Sequence, residues 1–487
     1  MSQAKTLLSG AAWMYGAQLL TVVLQFLYAA ATSRIIDAVG FGSYAISLSV
    51  SGLLSLLAIG GLAQAVARMD VLAPERLQGL VTYATVLGIA AASIMWFTAP
   101  LWGILWGDDG AISIVRWLAI STGTAPLAAI GGGLLRRQAR FKELAILVLG
   151  SNIGGMVLGV AAVVAFRTPD ALVVSPIAAQ SGLLIGSLAI SGRSLFGFAR
   201  INRKSADIAY VAQLVPSRFA EYLVGNITRF STSRWVGVDA LGFWNRGDVV
   251  TSIPFQQVQT AIIQAVSPEF RHDISNSPRA HRVWTDMLIL ICWLALPLAA
   301  LAAIVVPFLI PVLFGPGWEL TGQLVPWLAI AAGLQMIATV LSSAIEILGR
   351  MKWIWSTIVT LIAIQLAGAL ALFVFQNLIV AMICLVVTQL VRHAINIWQC
   401  GRIGYLNVRR VNSGYLGAAV FSTVLAACTW VACAMLRESL ATGQLQWGIG
   451  AALVVGAVAG LLVRFRAKLP PVQIASDYGI FRSSHTE

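Results

Sequence analysis

Three ionisable side chains, Arg218, Glu221 and Arg229, interrupt an otherwise apolar stretch between residues 209 and 234. At 100° per helical residue Arg229 returns to within about 20° of Arg218, and Glu221 and Gly225 fall near the same face. A guanidinium stays charged at any relevant pH and presents a planar fork of donors, the chemistry that holds phosphate oxygens. Inside a membrane-length helix each such group costs roughly 2.5–3.5 kcal/mol, so it is expected to face a partner or water. Two readings stand side by side. Arg218 and Glu221, at i,i+3, can neutralise each other and leave Arg229 unmatched, or the whole face lines a water-filled cavity that attracts anions. The next stretch, 240–268, repeats the pattern: Gln257, Thr260 and Gln264 point within about 40° of Arg246. Asp248 is close enough to pair with Arg246, so a structural pair and a cavity-lining arginine are both open there. Pro254 interrupts this stretch midway and removes one backbone hydrogen bond. Gln18 and Gln25, seven residues apart on one face of the first stretch, complete the candidate binding set.

Other chemistries lack their residues. His272, His281, His393 and His485 have no metal-ligand spacing, and Arg392 and His393 are expected to snorkel from the end of the twelfth stretch to the membrane surface. Asp108 and Asp109, the only adjacent acidic pair, sit in a short turn beside Trp102 and Trp106, an interfacial belt. No Gly-Lys dipeptide occurs, so a Walker A loop is absent. No nucleophile has a base beside it. The chain reads as a non-enzyme with no metal and no cofactor. Cys292, Cys384, Cys400, Cys428 and Cys433 form no CxxC pair and read as small packing residues.

The elements that must position the candidate residues are about 14 apolar stretches of membrane length, including 8–32, 41–67 and 240–268. With 59% hydrophobic and 10% charged residues in 487, no water-soluble fold could hide the apolar surface. The net charge of +13 does not signal nucleic acid, because most of the 32 lysines and arginines fall in every second gap between the stretches. That alternation is the positive-inside pattern, with added attraction to anionic membrane lipids. It places both termini in the cytoplasm. Lys5 followed by an apolar run to Thr32 is too long for a signal peptide and reads as a retained first helix.

An internal echo organises the whole. Thr32, Ser33 and Arg34 end the first stretch, and Thr232, Ser233 and Arg234 end the seventh; Gly42 and Tyr44 correspond to Gly242 and Trp244 at the same offset. Two six-helix halves in the same orientation imply a pseudo-twofold axis along the membrane normal, with a central cavity between them. The expected organisation is an all-α polytopic membrane protein: an N-terminal lobe 1–192, a basic linker 193–208, a C-terminal lobe 209–398, two accessory helices in 399–465 and a tail 466–487.

The sequence resembles the multidrug/oligosaccharidyl-lipid/polysaccharide exporter superfamily and, within it, the bacterial polysaccharide flippases. The resemblance covers nearly the whole chain. It rests on Ser9, Gly10 and Trp13 opening the first helix, and on Arg34 with Gly40, Gly42 and Tyr44 after it. It rests also on the basic run Leu135, Arg136, Arg137, Gln138, Arg140, Phe141, on Phe314, Gly315 and Trp318, and on Gly349, Arg350 and Lys352. It implies a cytoplasmic-membrane protein of bacteria that moves undecaprenyl-pyrophosphate-linked oligosaccharide across the bilayer by alternating access, for exopolysaccharide, O-antigen or capsule assembly. It also implies a cationic cavity for the pyrophosphate and headgroup, a polyprenyl tail left in lipid, and a polysaccharide polymerase as candidate partner. One departure stands out: Thr232 and Ser233 lie where many relatives carry an acidic residue, which puts ion coupling there in doubt. A drug or metabolite cation antiporter of the same superfamily is the alternative. A membrane polymerase or ligase is a further one, disfavoured by the short outer loops.

Overall fold

The computed structural model describes residues 3–68, 73–191, 197–199, 206–272, 277–442, 445–465 and 469–477, and these are helical throughout apart from short connections, with no strand among them. Two compact units divide the chain, one comprising Met1–Val249 with Gln365–Ala381, the other Val250–Ile364 with Met382–Glu487. The first contains α1 (Gln3–Ser33), α2 (Ala38–Ile59), α3 (Leu62–Arg68), α4 (Pro74–Trp106), α5 (Ala111–Arg137), α6 (Phe141–Phe166), a 3-10 turn (Pro169–Val173), α7 (Val174–Ser191), α8 (Ala206–Trp235) and α9 (Val238–Val250). The second contains α10 (Ser252–His272), α11 (Ser277–Phe314), α12 (Glu319–Ile347), most of α13 (Met351–Phe375) and α14 (Leu378–Arg402), then α15 (Val408–Thr442), α16 (Leu445–Phe465) and α17 (Pro470–Asp477).

Eleven helical segments among the described residues are long and apolar enough to cross a membrane, and Gln446–Gly456 is a shorter apolar one. The segments that carry Arg218 to Gln264 are not among the eleven: charged side chains interrupt α8, and α9 has only 13 residues. Outward-facing Phe97, Ile104, Phe166, Leu370 and Leu416 are exposed, as suits a lipid-facing surface. Inside, Leu62, Leu77, Leu80, Ile130 and Leu134 form a core in the first unit, and Trp284, Cys292, Met336, Leu341 and Cys400 one in the second.

Two sequence-expected helices are broken. The stretch 41–67 turns at Gly60 and Gly61, whose φ values of +37° and +100° are left-handed and suit glycine. The stretch 240–268 breaks at Thr251, between α9 and α10. The cause is Pro254: in a continuous helix its ring would meet the carbonyl of residue 250, where α9 ends. The division between the two units falls at the same place. The linker 193–208 lies mostly outside the described residues, as do the tail beyond residue 477 and the side chains of Lys5, Gln264 and His272.

The repeat is visible in the packing of the first unit. A Cβ added to Gly42 would lie 2.0 Å from the carbonyl oxygen of Val238, and one added to Gly242 would lie 1.8 Å from that of Ala38. Residues 38 and 42 thus meet 242 and 238, their counterparts 200 positions on, in a reciprocal contact about a local twofold axis. The preceding helix ends match as well. Thr32 and Thr232 are fully buried, and each hydroxyl donates 2.8 Å back to its own helix, to the carbonyls of Tyr28 and Thr228.

Candidate functional site

α8 and α9 bring the charged residues together. At its C-terminal end α8 is fixed to α4 by Ser233, whose Oγ donates to the Trp106 carbonyl at 3.2 Å. Nearer its middle it is fixed by Tyr222, which donates to the Ser49 carbonyl, and by the hydrogen bond between Thr228 and Gln365. α9 is fixed to α2 by the Gly42–Gly242 crossing, one turn before Arg246. A helix held this closely by backbone contact projects its next side chains in fixed directions.

Arg229 does have a carboxylate: its Nη2 lies 2.5 Å from Asp248 Oδ2, with the side chains 31% and 12% exposed. The guanidinium also lies over the Trp244 ring, 5.4 Å from the centroid. This corrects the expectation that Arg229 is unmatched and that Asp248 would serve Arg246. The i,i+3 spacing within α8 and the i,i+2 spacing within α9 are visible in sequence, whereas a pair reaching from α8 to α9 depends on how those helices pack.

Of the two, Arg246 is the guanidinium with no carboxylate among its hydrogen-bond partners in the described residues. It is 5% exposed. Its Nη2 donates to Asn245 Oδ1 at 2.9 Å, its Nη1 reaches Ser33 Oγ at 3.5 Å, and its Nε has no partner among the described residues. The Phe41 ring lies against it, 3.8 Å from the guanidinium carbon, and the phenols of Tyr44 and Tyr28 are within electrostatic reach. Neutral oxygens and one aromatic face compensate a buried cation only in part, which leaves it able to attract an anion.

The repeat makes the asymmetry plain. At an offset of 200 the counterparts of Arg229, Arg246 and Asp248 are Ala29, Ile46 and Leu48. At these three positions the charge is confined to the second copy.

The remaining candidates are more dispersed. Arg218 and Glu221 form the i,i+3 pair at 3.2 Å, about half exposed, and lie about 16 Å along α8 from Arg229 at 1.5 Å per residue. At that exposure the pair adds little stability. Gln18 and Gln25 are half-buried on α1, and Gln25 Oε1 is buried without a partner among the described residues. Gln257 is half-buried on α10, in the other unit. His393 does not snorkel: it is 8% exposed and stacked on Tyr415, ring centroids 5.4 Å apart at 18°. Packing from α15 covers it, which its place near a helix end did not disclose.

Comparison with known proteins adds family and fold. The polysaccharide biosynthesis protein family matches residues 32–323, more than half of the chain. A teichuronic acid biosynthesis protein, TuaB of Bacillus subtilis (strain 168), is 22% identical over 267 residues, 54% of this chain and 55% of that protein. A succinoglycan biosynthesis transport protein, ExoT of Rhizobium meliloti (strain 1021), is 25% identical over 339 residues, 68% and 67% respectively. The match thus spans about half the length of the first relative and two thirds of the second. Among solved structures, the lipid II flippase MurJ in an inward closed conformation superposes with a TM-score of 0.68 at 11% identity, over 92% of this chain and 98% of that one. An inward-facing multidrug resistance MATE family transporter of the MOP superfamily gives 0.53 at 14%, over 84% and 98%. At such identities these likenesses describe a shared fold.

Proposed function

Because this chain belongs to the polysaccharide biosynthesis protein family, we propose that it carries a lipid-linked oligosaccharide across the bacterial cytoplasmic membrane, with the pyrophosphate held by guanidinium groups of α8 and α9. The observation that supports this most is Arg246, a buried cation with no carboxylate partner among the described residues. Arg229, one helix away, is held by Asp248. A pyrophosphate can compete for Arg229 because it offers more acceptor oxygens and more charge than one carboxylate. Asp248 then acts as a displaceable occupant, keeping Arg229 paired until the substrate arrives and restoring the pair when it leaves.

A charged headgroup cannot cross hydrocarbon, so it must move through protein while its undecaprenyl tail stays in lipid. Alternating access between the two repeats, 1–192 and 209–398, about a shared site provides the route. The TuaB and ExoT names point to polysaccharide biosynthesis and its transport, and the MurJ name to the flipping of a lipid, which together support this substrate class. Two arginines against one aspartate leave the α8–α9 cluster with a net +1, which disfavours the organic cations that a drug antiporter would carry.

The test is surface polysaccharide in cells whose only copy carries Arg246→Gln or Arg246→Lys, at matched protein abundance. Both should lower export by about tenfold or more, since a single ammonium does not reproduce the fork. Normal export by Arg246→Gln at normal abundance would remove the anion role of this residue.

A further inference from the structure

We infer that the outward face of α6 binds a two-chain anionic phospholipid, a site separate from the α8–α9 cluster. Two apolar grooves flank this helix. One, of about 350 Å³, lies between α1 and α6 and is lined by Trp13, Gly16, Leu20, Ile146 and Leu149. The other, of about 500 Å³, lies between α6 and α7 and is lined by Glu143, Ile146, Gly150, Gly154, Leu158 and Gly182. Ile146 borders both and forms the ridge between them. The second groove follows α6 from Glu143 to Leu158, about 22 Å at 1.5 Å per residue, more than half of a hydrocarbon core of about 30 Å. Helix packing does not account for these hollows: a Cβ on Gly16 in the first, or on Gly150 or Gly154 in the second, would meet nothing within 4 Å, whereas one on Gly155, which packs on α7, would lie 2.6 Å from the Ser175 carbonyl oxygen.

Cations collar the same end of both grooves. Lys142 Nζ lies over the Trp13 ring, 5.1 Å from the centroid, at the head of the first. Arg140 heads the second, paired with Glu143 and donating 3.1 Å to the Ile190 carbonyl. Arg136 and Arg137 end α5 a few residues before Arg140 in the chain and add to the basic character of this connection. Arg140 and Lys142 against Glu143 leave a net +1 at the head of two chain-sized grooves that diverge from one point. That combination fits a phosphodiester with two tails astride Ile146. A single polyprenyl chain would fill one groove and leave the other.

The full-length protein, purified in detergent and analysed by native mass spectrometry, tests this with three probes: phosphatidylglycerol, phosphatidylethanolamine of the same chains, and undecaprenyl phosphate. Phosphatidylglycerol should be retained several-fold over phosphatidylethanolamine. The preference should vanish in Arg136→Gln/Lys142→Gln. Gly150→Leu/Gly154→Leu, which puts side chains into the groove from positions where an added Cβ meets nothing within 4 Å, should lower retention of both phospholipids and leave the melting temperature of the delipidated protein unchanged. Equal retention of the two phospholipids by the unaltered protein would overturn the inference. So would undecaprenyl phosphate displacing phosphatidylglycerol and losing retention in the same variants, which would make the groove a lane for a single-chain lipid. If the charge variant melts early, the groove variant decides.

Discussion

Arg229 and Arg246 differ in one respect that determines what each can do: the first has Asp248, and the second has only neutral oxygens and the Phe41 face. Asp248→Asn therefore has a distinctive expected outcome. It frees Arg229 without removing a cation, so inorganic pyrophosphate, as a competitor, should bind several-fold more tightly, while export slows because the headgroup has no carboxylate to replace it. Calorimetric titration with pyrophosphate alongside an export assay checks both; unchanged binding would show that Asp248 does not compete for the site. The arginines were legible in the sequence because charge is rare in apolar stretches, and the Arg218–Glu221 pair because i,i+3 neighbours share a face. The α8–α9 pairing was not, since it depends on tertiary packing. An offset comparison gives a partial signal: Ala29, Ile46 and Leu48 mark positions where only the second repeat carries charge.

At the scale of helices, the crossing of α2 and α9 is the tightest feature of the repeat. Gly42→Ala or Gly242→Ala would place a methyl about 2 Å from a facing carbonyl oxygen, and overpacking of that kind costs about 1–3 kcal/mol or more. Either change should lower the melting temperature by several degrees. Gly225→Ala on α8, where an added Cβ meets nothing within 4 Å, should leave it level or raise it slightly. Equal effects at all three would mean that the helices do not cross as described. At the α9–α10 break, Pro254→Ala permits the helix to run through Thr251; the fold should persist and export should fall if the break is used during the cycle, and normal export would make it a passive joint. Apolar length located these helices well. It missed the breaks at Gly60–Gly61 and Thr251, where local backbone chemistry divides an apolar run whose composition is unbroken, and it missed the cover over His393 because that comes from Tyr415, on the helix that follows, folding back against it.

For the whole molecule, the alternation of lysine and arginine along the chain predicts cytoplasmic termini. Reporter fusions within 193–208 and after Glu487 should be active in the cytoplasm, and periplasmic activity at either point would reverse the orientation. The family was legible from scattered motifs in order, whereas the cargo was not, because a cationic site specifies phosphate chemistry and says nothing of the sugar. Translocation itself is the direct test. The purified protein, reconstituted into liposomes with a fluorescent undecaprenyl-pyrophosphate-linked saccharide, should make headgroups of the inner leaflet accessible to a membrane-impermeant quencher. Arg246→Gln protein at equal density should do so about tenfold more slowly or not at all. Translocation by the Arg246→Gln protein at the rate of the unaltered one, or none by the unaltered protein with its proper lipid-linked saccharide, would contradict the account.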